Sequence, residues 1–472
     1  MFKKFLGDYE FIWGPVKKGV CESSYYHFLT SSEELHELDI TLGYKTRNAI
    51  KIAKEKNNLY EQILVIERIA GMYAFSASLS YCLAVEDYFD LTDKIPEYIK
   101  LIRMFFAELE RLRNHVENLS EISGSTYLEV PSSLYAYYAE KIKQISSEVN
   151  FSRYLMGINT VGGIRLNNLN YCIDEAINTH TDVDINTNHD ININITADMD
   201  TNANINSNFN TANTNKHNKD MLQGFKYIIK EVSLYINNIE KIIKQNSETK
   251  SHIDRLKTTG KINLKIAEKF HAEGIVAKSV GINKDLRLKY PYLSYKDIKL
   301  EPASYNDGDA LSRYLVRIAE IRQSFNIIKI CYEKLAKSFP DNILNSIESS
   351  HSSLSLNSSS SSDLNLKEQN KNEIDDNNKQ FFNENLKNKN NFYELNAAAH
   401  NNKYGFGFSE SSEGPIFCIV GEFNGKVFKK LNIKYPFDNN YKIFSYFTKN
   451  TMMMDFNINE TSYNFSVAAC DK

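Results

Sequence analysis

Six cysteines, Cys21, Cys82, Cys172, Cys331, Cys418 and Cys470, stand without a single C-x-x-C pair, a scatter that reads as reduced thiols in a cytosol. Charge of one sign is lacking too. Lys plus Arg number 56 against 59 Asp plus Glu, giving 56 − 59 = −3, so no strong field calls for nucleic acid. No apolar run approaches the roughly 20 residues that spanning a bilayer requires. Met1-Phe2-Lys3-Lys4-Phe5 is followed by Gly7-Asp8-Tyr9-Glu10, which breaks any signal-peptide core. Work at a membrane would then run through partners.

Two stretches lack the apolar residues needed for a core. Residues 179–219 are built from Asn, Thr, Asp and Ile without a helical period, and 346–402 from Ser, Asn, Lys and Asp. Such tracts bury too little apolar surface to offset the entropy of ordering them, and both read as disordered inserts. Low-complexity enrichment accounts for His180, Asp184, His189 and Asp190 without a metal.

What is present is mainly helix. At 472 residues with 42% apolar content the chain can bury a sizeable core. Apolar residues at three- and four-residue steps predict one long buried helix over Leu59 to Tyr88. A second opens at Pro96 and runs from Glu97 to about Ile122, and a third from Pro131 to Ser152. Further helices are expected over Met221–Gln245, Ile262–Phe270 and Tyr305–Lys337. Strands are expected at Tyr9–Val16, Leu35–Thr41, Ile416–Phe423 and Val427–Ile433, the last two joined by the hairpin signal Asn424-Gly425. The implied fold is a mainly α, antiparallel helix bundle with small β elements in its N- and C-terminal parts. The expected division is 1–178 (β segment and bundle core), 179–219 (insert), 220–345 (continued core), 346–402 (insert) and 403–472 (hairpin and closing tail).

A series of short blocks runs in order along the chain. They are Gly14 to Glu22, Leu42 to Asn48, Glu67-Arg68-Ile69-Ala70-Gly71-Met72-Tyr73, Ala84-Val85-Glu86, Glu108 to His115 and Val161-Gly162-Gly163. Gly274 to Gly281, Asp285-Leu286-Arg287, Gly308 to Glu320 and the tail Asn464 to Lys472 follow. In order and spacing these resemble the large subunit of membrane-bound, energy-converting nickel-iron hydrogenases and its relative, the quinone-site subunit of respiratory complex I. In the hydrogenases, the first and last motifs each carry two cysteines. Here those positions fall on Ala70, Tyr73, Ser466 and Ala469, with Cys470 as the only sulfur under an alternative register. Alanine offers no donor atom, so the resemblance comes with the expectation that no nickel-iron centre is held.

The resemblance implies roles for what is left. Glu22 matches a proton-relaying glutamate, and Arg68 an arginine that lies near a partner's iron-sulfur cluster. The plainer alternatives are a solvated acid and a helix arginine paired with Glu61 or Glu67. Tyr73 fills vacated volume or donates to a ligand oxygen. A quinone stays a candidate ligand, although the family's head-group histidine and tyrosine are replaced by Thr46 and Gly71, and a further histidine by Leu155. Tyr44, Thr46 and Tyr73 remain able to reach a carbonyl oxygen. The family's Pro-Arg-Gly-Glu turn falls on Ser412-Glu413-Gly414-Pro415, and Lys278 replaces an arginine, which reads as a drifted cavity wall. No cofactor of the chain's own is expected. The implied partners are an iron-sulfur small subunit and membrane-embedded ion-translocating subunits, which would hold the chain on the inner face of the cell membrane. The implied function is a redox subunit of such a complex. A quinone-reducing NADH dehydrogenase-type subunit and an inert structural subunit are the alternatives.

Overall fold

The structure, a computed structural model, describes residues 8–15, 23–44, 46–150, 152–166, 169–172, 211–338, 403–449, 451–470 and 472. Glu22, residues 179–210 and residues 346–402, on which several expectations fell, lie outside them.

The bundle centres on α4 (Glu97–Ser125), whose side chains are buried along nearly the whole length. It packs against α5 (Glu129–Asn150) and α11 (Ala310–Ser338), while α6 (Thr211–Glu248) lies against α5 and α11. Between α6 and α11 run the short helices α7 (Lys250–Leu256), α8 (Leu264–Lys269), α9 (Gly274–Ser279) and α10 (Leu286–Lys289). Pro96 stands at the N-cap of α4, where its missing N–H costs nothing. The carboxylate of Asp309 caps α11 by accepting from Ser312 N at 2.8 Å. α6 begins at Thr211, inside the stretch read as the first insert.

Among the described residues, three small antiparallel sheets surround the helices. The first joins β1 (Asp8–Trp13), β2 (Tyr25–Ser31), β3 (Glu34–Thr41) and the short β10 (Thr451–Met452), with Phe11 opposite Phe28. The second holds β4 (Asn159–Thr160), β5 (Gly163–Leu166) and β6 (Leu169–Cys172). The third runs β7 (Tyr404–Ser411), β8 (Gly414–Phe423), β9 (Phe428–Lys434), with the Asn424-Gly425 turn closed by Asn424 N donating to Val427 O at 3.2 Å. β7 had no sequence-based expectation. Its Gly407 lies so close to α3 (Ala74–Tyr88) that a Cβ there would stand 2.1 Å from Ser80 O, so only glycine lets strand and helix backbones meet.

The single helix expected from Leu59 to Tyr88 is broken. α2 (Leu59–Ile66) ends in a turn, Ala70 is extended (φ −143, ψ 102), and a 3₁₀ turn over Gly71–Tyr73 leads into α3. The pattern of apolar residues is that of a helix, but the backbone groups freed by the break are taken by distant side chains. Arg47 donates to the carbonyls of Arg68 and Ile69, and Arg113 and Asn114 to that of Met72 at 2.8 and 2.7 Å. The Glu110 carboxyl accepts from Phe75 N at 2.8 Å and Ser76 N at 3.1 Å, capping α3 from another helix.

Candidate functional site

The break brings the first motif to the C-terminal tail. After α12 (Phe437–Phe447) and α13 (Phe456–Tyr463), Asn464 adopts a left-handed conformation (φ 54) and turns the chain back across the molecule. Ala70, Tyr73 and Ala469 are all buried in one apolar cluster, with Cys470 and Phe465 packed against it. The Tyr73 ring lies 5.6 Å from that of Phe437. Ser466 Oγ accepts from Ala469 N at 3.4 Å within the tail's own turn. Three of the four positions matched to thiolates are thus apolar packing, the fourth is tied to its own backbone, and this donor set does not fit a thiolate-held metal. Among the described residues, no group of three or more His, Cys, Asp or Glu side chains is arranged to hold a metal ion.

The other expected site residues divide. Gly71 sits in the 3₁₀ turn of the motif. Tyr44 is half-exposed and stacks on Tyr25 at 6.1 Å, and exposed Thr46 donates to Gly43 O at 3.1 Å, so both serve their own loop and strand. Arg68 is exposed at the break, its Nη1 donating to Leu64 O at 2.6 Å rather than to Glu61 or Glu67. Glu67 instead turns inward, each carboxylate oxygen accepting from Gly157 N at 2.9 Å. Burial pushes it up to about 7, only partly opposed by the Gly157 N–H, Ser78 and Arg68. Burial likewise raises Glu110 against the pull of Arg113.

Behind this wall stands a buried ionic network built largely from the charged sequence blocks. Lys278 Nζ lies 2.8 Å from Asp285, 2.6 Å from Glu320 and 3.5 Å from Glu410. Arg287 bridges Asp285 and Glu108, Arg111 reaches Glu320 and Glu108, and His115 Nε2 stands 2.9 Å from Glu320. Burial works against every charge here, yet Arg287 and Arg111 hold Glu108 below its ordinary range, and Arg287 and Lys278 hold Asp285 far below. Glu410 goes the other way, raised to about 7 by burial and by Asp285, while burial lowers His115. The turn read as drifted is also paired, because Arg317 Nη2 donates to Glu413 at 2.9 Å and Asn464 Nδ2 to the same carboxylate at 3.0 Å. Lys278 and Glu413 therefore belong to an organised wall. The signal was present in the sequence: Glu108, Arg111 and His115 share one helix face at steps of three and four.

Two of the short sequence blocks also meet. Arg103 forks onto Glu86 at 2.6 and 3.0 Å, and the same carboxylate accepts from Gly162 N at 2.7 Å.

Comparison with known proteins gives a consistent set. The family described as respiratory-chain NADH dehydrogenase, 49 Kd subunit, matches residues 213–472. The C/D 1 chain of the NADH-quinone oxidoreductase of Aquifex aeolicus is 25% identical over 330 residues, covering 69% of this chain and 46% of that protein. The D chain of the NADH-quinone oxidoreductase of Wolbachia pipientis wMel is 23% identical and covers 64% of each. Formate hydrogenlyase subunit 5 of Escherichia coli K12 is 21% identical, covering 67% of this chain and 46% of that protein. The chain spans about half the length of the curated relatives it matches. A chain from the membrane-bound sulfane sulfur reductase, an archaeal respiratory membrane complex, shares the fold with a TM-score of 0.65 at 15% identity, covering 100% of both chains.

Proposed function

Since this chain belongs to the family of the 49-kDa subunit of respiratory-chain NADH dehydrogenase, we propose that it is a redox subunit of a membrane-associated electron-transfer complex and binds no nickel-iron centre. The observation that carries the second half is the apolar packing of Ala70, Tyr73 and Ala469 where the motif meets the tail. Alanine methyl groups present no lone pair to a metal, and filling the place with a phenol ring leaves it closed to one.

The electron carrier would then be a partner's iron-sulfur cluster, with exposed Arg68 beside it. A fixed positive charge stabilises a reduced cluster. No helix among the described residues is long and apolar enough to cross a membrane, so attachment to membrane-embedded, ion-translocating partners on the inner face of the cell membrane is part of the proposal. A quinone is the acceptor class that family membership favours, and Tyr44 and Thr46 on the exposed loop are the polar groups that would meet it.

The test is purification of the intact assembly, elemental analysis, and turnover with quinone and with ferredoxin. Iron without nickel, together with acceptor-dependent turnover, is the expected result. One nickel per chain would refute the loss of the metal centre, and an assembly inert with every acceptor would leave a structural subunit.

A further inference from the structure

The motif loop and the tail hold one cysteine between them, Cys470, yet they are joined. Arg47 Nη1 donates to Arg68 O at 3.1 Å, and Nη2 donates to Ile69 O and, at 3.3 Å, to Ala468 O. One guanidinium therefore spans two segments about four hundred residues apart in sequence, taking two carbonyls on the first and one on the second. The position that aims it is built into the backbone. Asn48, the next residue, is held at φ 53 as the N-cap of α1 (Ala49–Lys54), which sets Arg47 at the end of the loop rather than in the helix.

The ends of the tail have their own anchors. Asn464 is bound to Glu413 at 3.0 Å, and Lys472 Nζ donates to Ile433 O at 2.8 Å and lies 2.6 Å from Asp438. Those contacts fix the tail to β9, to α12 and to the turn between β7 and β8. Arg47 instead ties its middle to the motif loop.

We propose that Arg47 is a positioning residue, a guanidinium clasp that locks the motif loop and the C-terminal tail into one wall of the site. Its planar fork of five N–H donors suits three carbonyls at once, whereas an ammonium presents a compact point charge on a flexible stem. Two of the three carbonyls it takes, those of Arg68 and Ile69, are released by the break between α2 and α3, so without it they would face water or each other. The clasp itself rests on geometry alone. Only its consequence for turnover rests on the function proposed above.

The test is hydrogen exchange by mass spectrometry on the full chain, wild type beside Arg47→Gln and Arg47→Lys. In both variants, amides in residues 67–73 and 464–470 are expected to exchange about tenfold faster or more, with α4 unchanged. If Arg47→Gln exposes α4 as well, it has unfolded and Arg47→Lys, which keeps charge and most of the volume, decides. Wild-type protection of both segments in Arg47→Lys, or faster exchange in only one of them, overturns the clasp. The same variants in the assembled complex should lose turnover. Retained turnover beside lost protection would count against placing the reaction at this wall and leave the clasp standing.

Discussion

Replacing Tyr73 tests whether the motif is a packed joint or a ligand site. The ring is 2% exposed and lies among Ala70, Ala469 and Phe437. A buried tyrosine removes about 150–250 Å² from water. At about 25 cal/mol per Å² the lower figure alone gives about 4 kcal/mol, inside the about 3–5 kcal/mol seen when large aromatics are cut to alanine. Ala70 and Ala469, in the same buried cluster, are too small to close the gap, so Tyr73→Ala should fall in the upper part of that range. Tyr73→Phe keeps the volume and should cost no more than about 1 kcal/mol, the net worth of one hydrogen bond. Urea unfolding of the purified chain, followed by far-ultraviolet circular dichroism, measures both. Equal losses for Phe and Ala would refute packing as the role of Tyr73 and return it to ligand binding. A loss below about 1 kcal/mol for Ala would mean that the joint is not packed at all.

Glu67 has a pH signature. Its carboxyl, ordinarily at 4.5, is raised to about 7 by burial, so the folded state holds a proton that the unfolded chain has released, and stability is lost as pH climbs from 4.5 through about 7. Glu67→Gln removes that loss, and its unfolding free energy should gain on the wild type, by about 3 kcal/mol, between about pH 5 and about pH 8. A parallel pH dependence in the two proteins would refute it. Arg317→Met strands the Glu413 carboxylate, which is 3% exposed, and should destabilise by about 3–5 kcal/mol. Adding Glu413→Gln should recover part of that loss, and no recovery would mean that the pair is not what holds the turn. Arg68→Met in the assembled complex should lower a neighbouring cluster's potential by roughly tens of millivolts, the scale of a partly screened charge. An unchanged potential would favour an inert scaffold.

What could be read along the chain, and what could not, follows from the range of the interactions. The helix at Glu97 and the hairpin at Asn424-Gly425 are written in local signals, a proline at the cap and a turn dipeptide between apolar runs. The break inside Leu59–Tyr88 is not, because the residues that sustain it, Arg47, Glu110 and Gly157, lie far from it in sequence while the local apolar period continues unbroken. Tyr404–Ser411 hid for a related reason. Its glycines and serines resemble a loop until α3 is known to lie against it. The order of the short sequence blocks led to the right family. The charged blocks were visible as motifs, but nothing local distinguishes an arginine facing water from one facing Glu320.

That charged interior dictates when the molecule can be finished. Lys278 and Arg111 share Glu320, on the last helix before residue 339, but Glu410, which also faces Lys278, arrives on β7, after residue 402. A ribosome-bound chain that has released everything up to α11 still lacks the strand that covers α3 and the Glu413 carboxylate that neutralises Arg317. Such a chain holds Arg317 without its counter-charge, and a buried unpaired charge is costly enough to keep the interior from closing. Completion therefore waits for the segment after residue 402 to emerge. Nascent chains stalled before residue 403 should stay protease-sensitive, and the switch to resistance should come late and all at once.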